Sequence, residues 1–188
     1  MQKELSLAIK KIKQWIIKNN VVDTVLFGSS IRENLNPKDV DICIIIKDID
    51  EKKSLDLVDS LGKLTDNFKL KFHINLLVSS SFISGNTLTK TLLNEGYSIR
   101  HNKSFPLVFG FENKSLFVYT LKHFSPSKRV RFHYLLKGRY GSKGILKETQ
   151  GKFLGAGSIL VPTKKEDLLK EIFDKWDVKY SIIRILVS

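Results

Sequence analysis

The segment Asp39-Val-Asp-Ile-Cys-Ile-Ile-Ile46 constrains the fold more than any other part of the chain. It begins by alternating acidic and apolar side chains and ends as an isoleucine run. Side chains on a strand point alternately to two faces, so a run that is apolar at every position is buried on both. Such a strand lies inside a sheet with packed layers on each side. Asp39 and Asp41 share one face of it, while Val40 and Ile42 point the other way.

The neighbouring patterns supply the rest of an α/β fold. Leu5, Ile9, Ile12, Trp15 and Ile16 recur at helical spacing with lysines between them, predicting an amphipathic helix over residues 2–18. Val21 to Phe27 reads as a strand broken by Gly28-Ser29-Ser30, with a short helix over Ile31 to Leu35 ended by Asn36-Pro37. A helix over Ser54 to Thr65, a strand over Leu70 to Val78 and a helix capped by Asn86 and closed by Gly96 complete a first unit near residue 100. In the second half, Leu116 to Leu121 reads as a strand and Ser125-Pro126 opens a helix that ends at Gly138. The glycine-punctuated KGRYGSKG follows, and the glycines around Lys152 to Gly157 read as turns between strands. Ser158 to Val161 is a short strand, Thr163 and Glu166 form a capping box for a helix to about Trp176, and Val178 to Val187 is the last strand.

A chain of 188 residues predicts one domain or two small ones. We expect a division into residues 1–100 and 101–188. The longest purely apolar run, Ile42 to Ile46, is far below the roughly 20 residues of a membrane span, so no membrane partner is expected. The amino terminus interleaves lysine with apolar residues and lacks the pattern of a secretory signal. With Cys43 as the single cysteine, the reading is a reducing, cytoplasmic setting.

Chemistry concentrates where Gly28-Ser29 precedes Asp39 and Asp41. Two carboxylates converging on one spot repel each other unless a cation intervenes, and hard oxygen donors suit Mg²⁺ or Mn²⁺. Glycine lets the backbone approach an anion. The N–H groups of a following helix, with the Ser29 and Ser30 hydroxyls and the Arg32 guanidinium, suit a triphosphate. A phosphate cradle beside a carboxylate pair is the apparatus of metal-assisted phosphoryl or nucleotidyl transfer.

This ordered combination of Gly28, Ser29, Asp39 and Asp41 resembles the nucleotidyltransferases of the DNA polymerase beta superfamily, especially the minimal nucleotidyltransferases. The resemblance covers roughly residues 1 to 100. It implies a mixed-sheet polymerase-beta-like core, followed here by a smaller basic α/β module. It also implies an NTP donor held by the turn, divalent metal on Asp39 and Asp41, and transfer of a nucleoside monophosphate to an acceptor hydroxyl with release of pyrophosphate.

Many members of that superfamily supply a third carboxylate from a later strand. The candidate strand here reads Lys71-Phe-His-Ile-Asn-Leu76, and its alternation puts Lys69, Lys71, His73 and Asn75 on one face, none of them acidic. Two readings follow. Either His73 takes the proton and Asn75 serves as a neutral ligand, or the domain binds nucleotide without turning it over. Cys43 shares the parity of Asp39 and Asp41, which places it at the floor of the site as a small buried hydrophobe and not as a nucleophile.

Charge is unevenly spread. Residues 1–100 carry net +3 and residues 101–188 net +10, and the stretch Lys122 to Lys152 alone holds nine Lys and Arg against one Glu. Lys128, Arg129, Arg131, Lys137, Arg139 and Lys143 lie on or just past the helix that starts at Pro126, interleaved with Phe132, His133, Tyr134 and Tyr140. Cations grip phosphates and aromatic rings stack on unpaired bases, so this region is read as the acceptor-binding part, with RNA the preferred acceptor. The competing reading packs Val130, Tyr134 and Leu135 onto the core and leaves the cations solvated. A third function class, modification of a partner protein as in toxin and antitoxin pairs, shares the same first half.

Overall fold

The computed structural model describes residues 2–28, 31, 39–47, 50–140 and 142–188, with Gln2 described in its backbone only. The chain divides into two compact units, Met1–Gly110 and Phe111–Ser188. The first unit thus extends past residue 100 to include a two-residue strand and one helical turn.

The first unit opens with α1 (Gln2–Lys18), where Ile12, Trp15 and Ile16 are buried and Leu5 and Ile9 partly buried, as the helical spacing predicts, with Ala8 buried beside them. Its sheet is built from β1 (Asp23–Phe27), β2 (Asp39–Ile46), β3 (Lys71–Val78), β4 (Tyr97–Ser98) and β5 (Lys103–Ser104), in the order β3-β2-β1-β4-β5. Only β2 and β3 run parallel, so the sheet is mixed. The antiparallel β1–β2 pair sets Phe27 opposite Asp41 and Val25 opposite Cys43, while β3 sets Lys71, His73 and Asn75 beside Asp39, Asp41 and Cys43.

That register sorts the two faces. Val40, Ile42, Ile44 and Ile46 form a core with α1 and with α2 (Glu51–Thr65), and Trp15 Nε1 donates to Ser60 Oγ at 2.9 Å to tie the two helices. Helix α2 starts ahead of the expected Ser54 because Asp50 caps it, accepting from the Lys53 N–H at 3.1 Å, a polar signal that apolar spacing does not carry. On the opposite face, Val25, Cys43 and Ile45 are covered by α4 (Thr87–Glu95) and α5 (Phe105–Val108) through Leu92 and Phe105. The short α3 (Ser81–Ser84) adds Phe82 to that cluster. Asn86 caps α4 as expected, accepting from the Thr89 N–H at 2.8 Å. This second layer covers the Cys43 end of the face, whereas Asp39, Asp41 and His73 at the other end stay partly or largely solvent-accessible.

The second unit is a four-stranded antiparallel sheet of β6 (Glu112–Thr120), β7 (Lys152–Gly155), β8 (Ser158–Pro162) and β9 (Lys179–Val187), ordered β7-β8-β6-β9. Helices α6 (Pro126–Lys137), α7 (Ile145–Glu148) and α8 (Glu166–Lys175) supply the rest of its core, in which Phe117, Phe132 and Phe173 are fully buried and meet edge to face. One expectation is extended here and another corrected. Lys152 to Gly155 is a strand that the sequence pattern did not disclose, while the turn between strands falls among these glycines as expected, at residues 156–157, where Gly157 takes φ +77°. The capping box does not form, because Thr163–Lys165 is a 3-10 turn and the Glu166 carboxylate instead accepts from Ser115 Oγ and from both Nε and an Nη of Arg184, at 2.5, 3.0 and 2.8 Å.

Candidate functional site

Sequence dictates the geometry around Asp41 twice over. The parity of β2 turns Asp41 onto the face shared with Asp39, and the β1–β2 register then brings the residue after Phe27 against it. That residue is Gly28, at φ +73°, a backbone conformation that L side chains rarely adopt. A β-carbon there would stand 2.5 Å from Asp41 Oδ2. Glycine is therefore required both for the turn and for the carboxylate that lies over it.

On the other side of Asp41 is β3. His73 Nδ1 lies 3.4 Å from Asp41 Oδ1, with the two side chains 46% and 32% exposed, so both remain reachable from solvent. Lys71 is the register partner of Asp39, which sets a cation alongside the outer carboxylate. Asn75 sits further along, beside Cys43, and is half-buried. Alternation alone foresaw this face of β3, but the pairing of His73 with Asp41 in particular needed the parallel register.

Cys43 is fully buried among Val25, Ile45, Leu77, Leu92 and Phe105. Burial pushes its thiol up to about 12, so it carries no thiolate at neutral pH. It belongs to the packing beneath α4 and α5. Asp23, the acidic residue of β1, lies at the far end of that strand from Gly28, where it accepts from Ser98 Oγ and from the backbone N–H groups of Thr24 and Arg100. Its lone pairs are taken up in holding the β4–β5 hairpin.

Gly28, Asp39, Asp41 and His73 are thus placed, whereas Ser29, Ser30 and Arg32 lie outside the described residues, as do residues 33–38. No group of three or more His, Cys, Asp or Glu side chains among the described residues is disposed to hold a metal ion. Two carboxylates, Asp39 and Asp41, share this face, and such a pair could hold only an ion that takes its remaining ligands from phosphate and water.

In the second unit the six expected anion-binding cations have different surroundings. Arg129 is engaged within the fold: its guanidinium donates to the carbonyls of Leu121, Lys122 and Phe124 at 2.9 to 3.1 Å, closing the turn before α6. Lys128 lies over the Phe124 ring at 3.9 Å and Lys137 over Phe153 at 5.5 Å. Arg139 lies against both Tyr134 and Tyr140. Arg131 and Lys143 are exposed, and none of the six forms an ion pair among the described residues. The buried side of α6 is Phe132 and Leu136, with Leu135 partly covered, while Val130 and Tyr134 stay out. Phe132 is a core residue and offers no stacking face, and His133 stacks on Phe153.

No helix among the described residues is long and apolar enough to cross a membrane. The chain matches no protein-family model, and comparison with curated proteins finds no match.

Proposed function

We propose that the protein is a metal-dependent nucleotidyltransferase that moves a nucleoside monophosphate from an NTP to a hydroxyl of RNA in the cytoplasm. One observation carries this reading: the Asp39 and Asp41 carboxylates share the open end of a sheet face, with Asp41 lying over the backbone of Gly28. A left-handed glycine at a strand end leaves room for a phosphate, and two carboxylates beside it hold the cation that accompanies a triphosphate. Bound there, Mg²⁺ or Mn²⁺ would neutralise charge developing on the transferred phosphoryl group. Asp39 and Asp41 would hold that ion, Gly28 with Ser29, Ser30 and Arg32 would hold the triphosphate, and His73 would take the proton of the attacking hydroxyl. His73 is suited to that role because it is reachable from solvent and within 3.4 Å of Asp41, which orients the ring.

Lys71, His73 and Asn75 on β3 favour a second reading, in which the protein binds nucleotide and RNA without turnover. Incubation with each labelled NTP, Mg²⁺ or Mn²⁺, total RNA and total protein separates the two. Label entering RNA supports the proposal. Nucleotide binding without transfer supports the second reading, and label entering protein moves the acceptor to a partner protein.

A further inference from the structure

The loop after α6 is wound tightly. Gly138 takes φ +89°, and a β-carbon on it or on Gly144 would collide with backbone of the opposite side of the loop, so the two glycines cross at close quarters. Ser142 fastens the loop from within, accepting from the Arg139 N–H at 2.9 Å while its hydroxyl donates to the Arg139 carbonyl at 2.7 Å. At the tip stands Tyr140, held at φ +45° and 93% exposed. A tyrosine in the left-handed region costs conformational energy and hides no apolar surface here, so packing does not explain its position. The Arg139 guanidinium lies 5.2 Å from the Tyr134 ring and 5.0 Å from the Tyr140 ring, and Tyr134 is itself 43% exposed.

We infer that Tyr134, Arg139 and Tyr140 form a platform on which unpaired bases of single-stranded RNA stack, with Arg131, Lys137 and Lys143 gripping the backbone. The inference deepens the acceptor side of the proposed function and rests on that reading of the basic region. The charge around the platform selects the partner: Lys122 to Lys152 carries nine cations and one acid, so a polyanion is favoured over a neutral or basic surface. Exposed aromatic faces select unpaired bases within that class, because paired bases present only their edges. RNA loops and ends offer such bases, whereas DNA in a duplex does not. The close crossing of Gly138 and Gly144 holds the two ends of the loop together before binding, which lowers the ordering cost of capture.

Fluorescence anisotropy on the full chain tests this with a labelled short single-stranded RNA of mixed sequence, its duplex, and the DNA strand of the same sequence. No NTP or metal is present, so failure of nucleotidyl transfer leaves the result unaffected. Tyr140→Gly removes the ring and relieves the positive φ, so loss of folding does not confound it. It should weaken RNA binding about 10-fold, the scale of one lost base stack, while Tyr140→Phe retains it. Because stacking releases no counterions, Tyr140→Gly should leave the salt dependence of binding unchanged, whereas Lys143→Ala should lower that slope by about one contact. Single-stranded RNA should bind more tightly than the duplex and at least as tightly as DNA. Unchanged affinity in Tyr140→Gly, equal or tighter binding of the duplex, or tighter binding of DNA would each overturn the inference.

Discussion

Gly28 and Asp41 occupy the same few ångströms: a β-carbon on the glycine would stand 2.5 Å from Oδ2 of the aspartate. The turn that ends β1 and the carboxylate that begins β2 are therefore one unit. Gly28→Ala should strain the backbone at φ +73° and push Asp41 aside, costing about 1–2 kcal/mol of stability. Transfer should fall much further than stability does. Urea unfolding and a labelled-NTP assay on the same preparation check both parts.

His73 touches Asp41 and no carboxylate replaces it on β3. His73→Ala should lower kcat by about 100-fold, the low end of what a positioned base contributes, with little change in the KM for NTP. A substitution that raised KM alone would place His73 in nucleotide binding.

Arg129 was expected to bind phosphate, yet its guanidinium is spent on three carbonyls before α6. Arg129→Ala should lower stability by about 1–3 kcal/mol, since those hydrogen bonds are charge-assisted. The salt dependence of RNA binding should barely change. Thermal unfolding and anisotropy against salt distinguish this arginine from Lys143.

Glu166 binds Arg184 and Ser115 inside the second unit, and the Arg184 hydrogen bond, reinforced by that of Ser115, holds its carboxyl below the usual carboxylate range. A carboxyl lowered in the folded state contributes stability that is present above its unfolded value and is lost as pH falls through the folded one. The second unit should therefore lose stability below about pH 4, and Glu166→Gln should flatten that acid limb while lowering stability at neutral pH. Denaturant midpoints measured from neutral pH down through the acid range check the sign.

Much of this was legible in the chain itself. The isoleucines of β2 disclosed a strand buried on both faces, and strand parity alone assigned Asp39 and Asp41 to one face of it. Asn86, Ser125 and Gly138 announced helix ends because capping is a local signal. Relations across distance were not legible. The contact of His73 with Asp41 depends on a parallel register, and the diversion of Glu166 from its own helix depends on Arg184 of β9, which local spacing cannot foresee. The engagement of Arg129 was hidden for the same reason, since an arginine that donates back to preceding carbonyls has the same sequence signature as one that does not. Tyr140 was visible as an aromatic among cations, but local spacing did not reveal its exposure or its positive φ.

The central claim is that Asp39 and Asp41 jointly hold a divalent ion with the nucleotide. Electron paramagnetic resonance of Mn²⁺, titrated with the protein in the absence of nucleotide because a triphosphate itself sequesters the ion, tests the metal half of that claim directly. The free-ion signal should fall for the native chain and persist for Asp39→Asn/Asp41→Asn of matched circular dichroism. Equal Mn²⁺ binding by the two proteins would contradict the assignment.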